Sequence, residues 1–307
     1  MVTPFFRLEV KKLIETKVKE SNQKAFSIIG HFLNNTPALV NEYDVIKLIE
    51  LGVSSEYAVS VLISSLYGID LIDNADDKEF FNTYFPRMIH KMNPEDYIKK
   101  SFYSNISIPS IKIGNCELKY EQYKPFNCFV CNDVLITNHG RQIPQIGFFE
   151  VEFSYPALLE NDRLWMAITP NEIETMKEAI NDSFGNVLTF GLGLGYYAFM
   201  ISEKSCVNSI TVVEMNPDII TLFSEFILPQ FKSAHKIKIV QADAFEYAEN
   251  YLPASNFNFV FTDLWHDVSD GLEMYLKMKK YERLNPNIIF KYWIENSILS
   301  YIIAAKM

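Results

Sequence analysis

Apolar residues recur at helical spacing through the first hundred positions of the chain and at strand spacing through the next seventy. Phe5, Phe6, Leu8, Val10, Leu13 and Ile14 begin an amphipathic segment running to about Glu20, and Ala25–Leu33 continues it. Val45, Ile46, Ile49 and Leu51 form a third apolar face, stopped by Gly52. Ser54 or Ser55 caps a fourth helix, Glu56–Leu66, which ends by Gly68; Asp76 or Asp77 starts a fifth, halted at Pro86. Residues 1–99 thus read as a helical accessory domain, with His31 and His90 as structural histidines. Residues 100–168 alternate Ile, Val, Phe and Tyr with polar residues: Ile106, Ile108, Ile111, Ile113, Leu118 and Tyr120, then Phe129–Ile136. Turn signals at Gly114-Asn115 and Asn138-His139-Gly140 make this a small antiparallel β region.

From Thr169 the pattern changes to short apolar runs separated by amphipathic helices. Thr169-Pro170-Asn171-Glu172 combines an N-cap, a proline at the first helical position and a capping-box glutamate, predicting a helix over 170–182. The strand runs are Val187–Phe190, Ser209–Val213, Ile237–Val240 and Phe257–Phe261, with helices over 196–204, 217–228 and 244–252 between them. Alternating strands and helices predict an α/β fold. The expected architecture is a Rossmann-like, doubly wound parallel sheet over 169–307, preceded by the β region and the helical domain.

The 307 residues carry a net charge of −10, of which 1–100 hold −2 and 101–307 hold −8. The acidic part is the α/β part. A nucleic-acid substrate is therefore not expected, since phosphate contacts need Lys and Arg; a neutral or cationic small molecule is. No apolar run is long enough to span a bilayer, Ile298–Ala305 included. The first residues lack the apolar core and cleavage site of a signal peptide. A cytoplasmic protein follows, with a small-molecule acceptor as partner, no nucleic acid, no membrane, and a homodimer as candidate assembly. Cys128 and Cys131 form a C-x-x-C, but only Cys116 and His139 lie nearby, so buried reduced thiols and no metal are expected.

The candidate chemistry sits at the ends of the strand runs. Gly191, Gly193 and Gly195 form a tight turn between a strand and a helix, where backbone N–H groups approach a ligand closely. Glu214 ends the next strand and is placed to accept hydrogen bonds from both hydroxyls of a ribose. Asn216 and Pro217 read as N-cap and first position of the following helix. Asp263, Trp265, His266 and Asp267 follow the fourth strand. A histidine with neighbouring carboxylates can act as a base near neutral pH, and the Trp265 face can pack over a cation. The competing assignments are a helix cap for one Asp, an exposed loop residue for His266 and a core role for Trp265. Of Tyr196 and Tyr197, one is expected to face a ligand and the other to pack inside.

With these residues placed, the pattern resembles the class I S-adenosylmethionine-dependent methyltransferases over about residues 170–267. The resemblance implies S-adenosylmethionine as cofactor. It implies Gly191, Gly193 and Gly195 under the methionine part, Glu214 on the ribose, Asp243 on the adenine amino group, and Ala244 and Phe245 along the ring. Two features depart from the family: Thr189 stands where an acid is usual before the glycines, and few residues follow Asp267. The chain also resembles the spermidine synthase-like aminopropyltransferases. Glu152-Phe153-Ser154-Tyr155 is similar to their acidic-Phe-x-Tyr stretch, and Asp243-Ala244-Phe245-Glu246 to their Asp-Gly-Phe-Glu. Pro156 and the Leu-Trp-His-Asp after Asp263 depart from them.

Three functions follow as expectations. The first is methyl transfer to a small molecule, by in-line displacement at a sulfonium. The second is aminopropyl transfer from decarboxylated S-adenosylmethionine. The third is cofactor binding without catalysis. Asp263 and His266 are the candidate catalytic residues, and Tyr155, Trp265 and Asp267 the candidate substrate contacts.

Overall fold

Burial of the Val187–Phe190 run fixes the centre of the architecture, because all four side chains are nearly inaccessible. The computed structural model describes residues 4–305. In it the strand Gly185–Phe190 (β1) lies mid-sheet, followed in the chain by Val207–Glu214 (β2), Ile237–Gln241 (β3), Phe259–Thr262 (β4) and Ile289–Tyr292 (β5). The sheet order is β3-β2-β1-β4-β5 and every pairing is parallel. Strand order reverses between β1 and β4, an arrangement compatible with a Rossmann-like fold. The strand ends are level: Phe190 pairs with both Val213 and Thr262, and Thr262 with Tyr292. The loops at the carboxyl ends are therefore neighbours. The residues after Asp267 add one strand, β5, between the helices Val268–Leu284 and Glu295–Ala305.

The chain forms two compact units, and the 100–168 segment is divided between them. One unit holds residues up to Asn93 with Tyr123–Phe153 and the chain end from Ile303; the other holds Pro94–Gln122 and Ser154–Ile302. In the first unit the buried strand Gln142–Phe148 pairs in parallel with Ile89–Lys91 and antiparallel with Phe129–Ile136. It packs on the helices Pro4–Asn35 and Ala75–Met88, while Ser55–Leu66 packs on Ile89–Lys91; Ala75–Met88 is the helix expected to halt at Pro86. This helix is capped by Asn74, not by Asp76 or Asp77, and runs through Pro86. Pro86 has no N–H to give to the helix, and the helix closes just beyond it, where Ile89 N–H donates to the Phe85 carbonyl. His90 Nε2 lies 3.0 Å from Gln145 Oε1, a structural contact.

In the second unit the strands Ile111–Ile113, Cys116–Tyr123, Phe153–Glu160 and Arg163–Ala167 form a separate four-stranded sheet. Asn161 and Asp162 join the last two with φ of 52° and 61°, the left-handed values of a tight hairpin turn. The helix expected over 170–182 is two, Pro170–Thr175 and Lys177–Asp182. At the break the Thr175 hydroxyl donates to the Asn171 carbonyl at 2.7 Å, a back-bond that bends helices. Similarly, the helix over 217–228 shortens to Pro217–Leu222 and continues as a wider turn, Phe223–Ile227.

Burial pushes the Cys128 thiol up to about 12, which disfavours its thiolate. All four cysteines are free, and Cys206 is exposed rather than buried. Among the described residues, no group of three or more His, Cys, Asp or Glu is placed to hold a metal, and no helix is long and apolar enough to cross a membrane.

Candidate functional site

All five parallel strand ends contribute to one cavity of about 370 Å³, a size typical of small-ligand sites. The turn after β1 enters it through Gly191, Leu192 and Gly193. Gly191 N–H donates to the Val213 carbonyl at 3.0 Å, and Asp263 N–H to the Phe190 carbonyl at 2.9 Å, so the ladder continues into the loops. The three glycines serve different contacts. A Cβ on Gly191 would meet the Asp263 carbonyl, one on Gly193 the Met166 sulfur, and one on Gly195 the Phe223 ring. Gly195 does not line the cavity; its missing side chain makes room for Phe223. Tyr196 and Tyr197 are both buried and neither lines the cavity. Tyr196 packs on Phe102, and the Tyr197 hydroxyl bonds to that of Ser183 at 2.6 Å. Tyr197 borders a small adjoining pocket together with Met166, Gly191, Leu192 and Asp263.

Glu214 is held by the loops around it. Oε2 accepts from Leu192 N–H at 3.2 Å and Oε1 from Asn216 N–H at 2.8 Å. Burial raises its carboxyl, against the pull of these backbone donors. Asn216 caps the next helix as expected, and its Nδ2 donates to Glu160 Oε1 at 3.0 Å. After β3, Asp243 Oδ1 accepts from Phe245 N–H at 2.8 Å and Glu246 N–H at 2.9 Å. The acid is both a helix cap and a cavity residue, and the cap engages one oxygen only. Ala244 and Phe245 line the cavity beside it, and so does the exposed Met215. Lys277 Nζ lies 3.8 Å from the Phe245 ring centroid, and Lys277 is not among the lining residues.

After β4, Asp263, Trp265 and His266 line the cavity and Asp267 does not. The Asp267 carboxylate caps the helix Val268–Leu284, accepting from Ser269 N–H at 2.6 Å in a reciprocal box with Asp270. Asp267 is thus placed as a helix cap, outside the cavity lining. His266 is exposed; its Nε2 lies 3.3 Å from the Leu164 carbonyl and its ring 6.0 Å from that of Trp165. Trp265 is buried against Gly271, and its Nε1–H has no partner. Tyr155 is buried in the strand Phe153–Glu160 and lies outside the cavity lining, so it is not placed as a substrate contact here.

Sequence reasoning missed Glu172. It reads locally as a capping-box residue, yet the Thr169 side chain makes no cap bond. The Glu172 carboxyl instead turns into the cavity, buried to 9% exposure, with Oε2 unpartnered. Burial first, then the Asp263 charge, raises Glu172 well above the usual carboxylate range. Burial, then the charge of Glu214, pushes Asp263 up to about 7. The consistent order is that Glu172 keeps its proton, leaving Asp263 to feel Glu214 as its charged neighbour. Also missed were Glu160, Trp165 and Met166 on the hairpin, Met215 after Glu214, and Trp293 after β5. Only Met215 had a signal, its position one residue beyond the strand-end acid.

Five carboxyl groups, Glu160, Glu172, Glu214, Asp243 and Asp263, line the cavity, and none of its lining residues is Lys or Arg. Such a site favours a cation and can take a proton from one. No protein-family model matches the chain, and no curated protein matches it.

Proposed function

We propose that this cavity holds a sulfonium nucleoside of the S-adenosylmethionine type and that the protein moves an alkyl group from it to a small amine acceptor. The observation that carries the reading is the pair Glu172, buried in the helix Pro170–Thr175, and Asp263, at the end of β4, in a cavity lined by no Lys or Arg. The donor set fits the cofactor. Glu214 is poised for the ribose hydroxyls, the second oxygen of Asp243 for the adenine amino group, and Met215 and Phe245 for the faces of the ring. The reading includes a doubly wound sheet in a cytoplasmic enzyme, without nucleic-acid or membrane partners.

When bound, the cofactor supplies a carbon activated by attachment to a positive sulfur. The work left to the protein is orientation, exclusion of water and removal of a proton. The acceptor nitrogen forms the new N–C bond with its lone pair. The C–S bond breaks with its pair going to sulfur, and the proton released from nitrogen goes to the Asp263 carboxylate. A base near neutrality suits that task. His266, exposed at the mouth, is placed to carry the proton outward.

Methyl transfer is the reading that follows from the wider resemblance. Aminopropyl transfer from decarboxylated S-adenosylmethionine is favoured by a specific observation: the cavity has five acids and no lining Lys or Arg to meet a cofactor carboxylate. Calorimetry with S-adenosylhomocysteine and its decarboxylated counterpart, followed by turnover with labelled S-adenosylmethionine, labelled decarboxylated cofactor and a panel of diamines, tests both. Tight binding without transfer to any acceptor would leave the third function, a binding protein. Binding of neither nucleoside would end the proposal.

A further inference from the structure

The hairpin strand Arg163–Ala167 brings Met166 onto the glycine loop. Leu194 N–H donates to Met166 Sδ at 3.1 Å, and a Cβ on Gly193 would lie 1.8 Å from the same sulfur. The side chain is fixed from several directions. Met166 pairs with Leu158 across the hairpin, and the neighbouring Leu164 carbonyl lies 3.3 Å from His266 Nε2 in the loop after β4. The close approach that Gly193 permits is therefore an approach of Met166, and the thioether takes a backbone donor that an anion would otherwise use.

We propose that Met166 is a specificity-determining residue: it covers the glycine loop, so that the site refuses a carboxylate at the tail of its nucleoside ligand and accepts a bare ammonium there. The inference rests on the reading of the cavity as a sulfonium-nucleoside site, and within that reading it selects the decarboxylated cofactor. A carboxylate at the loop would have to displace the thioether from Leu194 N–H. It would then lie in a cavity lined by five carboxyl groups, Glu214 and Asp263 among them, and by no Lys or Arg. An ammonium leaves Met166 in place and meets the carboxyl groups that line the cavity, Asp263 among them.

The test compares three ligands by calorimetry: S-adenosylhomocysteine, its decarboxylated counterpart, and 5′-methylthioadenosine, which lacks the charged tail. The unsubstituted protein should prefer the decarboxylated ligand. Met166→Ala should cut that preference by about tenfold or more, the scale of one hydrogen bond to a charged group. Binding of 5′-methylthioadenosine should stay unchanged, which also reports that the variant is folded. Met166→Val, shorter but suited to a strand, serves the same comparison if the alanine variant does not fold. A preference unmoved by shortening Met166, or a preference for S-adenosylhomocysteine in the unsubstituted protein, overturns the proposal. Failure of 5′-methylthioadenosine to bind the unsubstituted protein overturns the nucleoside site itself.

Discussion

A Cβ placed on Gly191 would lie 2.0 Å from the carbonyl oxygen of Asp263. The exits of β1 and β4 are thus in backbone contact, with no room for a side chain between them. Gly191 also has φ +95°, a conformation that L residues rarely adopt. Both constraints act on backbone and cannot be relieved by a rotamer change. Gly191→Ala should lower stability by about 2–4 kcal/mol and displace Asp263 from the cavity. Urea unfolding checks the first effect and nucleoside binding the second; an unchanged midpoint would refute the steric account.

The carboxyls of Glu172 and Asp263 make stability depend on pH in an unusual direction. Burial raises Asp263 from its ordinary value of 3.8 up to about 7, and Glu172 also shifts upward. Between those values the folded state holds protons that the unfolded chain has released, so stability falls as pH rises through this window. The unliganded protein should be more stable at the acid end of the window than at pH 8 by this contribution. Asp263→Asn with Glu172→Gln should flatten that dependence and stabilise the protein at pH 8. Chemical denaturation across the pH range measures it, and an identical slope in the double variant would count against the buried pair.

Glu214 accepts from Leu192 N–H and Asn216 N–H and also lines the cavity. Glu214→Gln keeps an acceptor for Leu192 N–H or Asn216 N–H but loses the charge, and Glu214→Ala loses both. The alanine variant should bind S-adenosylhomocysteine roughly 10- to 100-fold more weakly, the loss of hydrogen bonds to a charged group. Asp243→Asn should weaken it less, since an amide oxygen can still accept. Unchanged affinity in Glu214→Ala would show that the ribose is held elsewhere.

Asp263 and Asp267 lie close in sequence yet should behave oppositely. Asp267→Ala removes the cap of Val268–Leu284 and should cost about 1 kcal/mol of stability with nucleoside binding intact. Asp263→Ala should leave the fold intact and abolish transfer while adenosine-end binding survives. His266→Ala should lower the rate less and alter its pH dependence. Thermal melts and single-turnover assays on the three variants separate these roles. A transfer-competent Asp263→Ala would remove it from the mechanism.

Short-range chemistry explains what was legible beforehand. The strand, glycine turn, helix and strand-end acid over 187–217 depend on periodicity and capping within a few residues, and the structure has them where the pattern placed them. Asn216 is the cap expected of it. Glu172 shows how the same reasoning fails. Thr-Pro-x-Glu has the local form of a capping box, but a carboxyl at the third position can also turn inward, and only a cavity built by distant residues decides which. Thr175 is a second case: its hydroxyl bonds back to the Asn171 carbonyl and also receives the Trp293 Nε1 donor at 2.9 Å, from a residue distant in the chain.

The sequence by itself determined the alternation of strands and helices after Thr169, the parallel character of that sheet, and the placing of Gly191, Glu214, Asp243 and Asp263 at strand ends. These follow because side-chain period and turn chemistry are local properties of the chain. Only the tertiary structure decided that the strands of 100–168 divide between two units, that Met166 covers the glycine loop, and that Glu172 faces the cavity lined by Asp263 while Asp267 turns away to cap a helix. Strand partners and cavity walls join residues far apart in the chain. Their choice depends on which distant surfaces bury one another, and no local pattern records that.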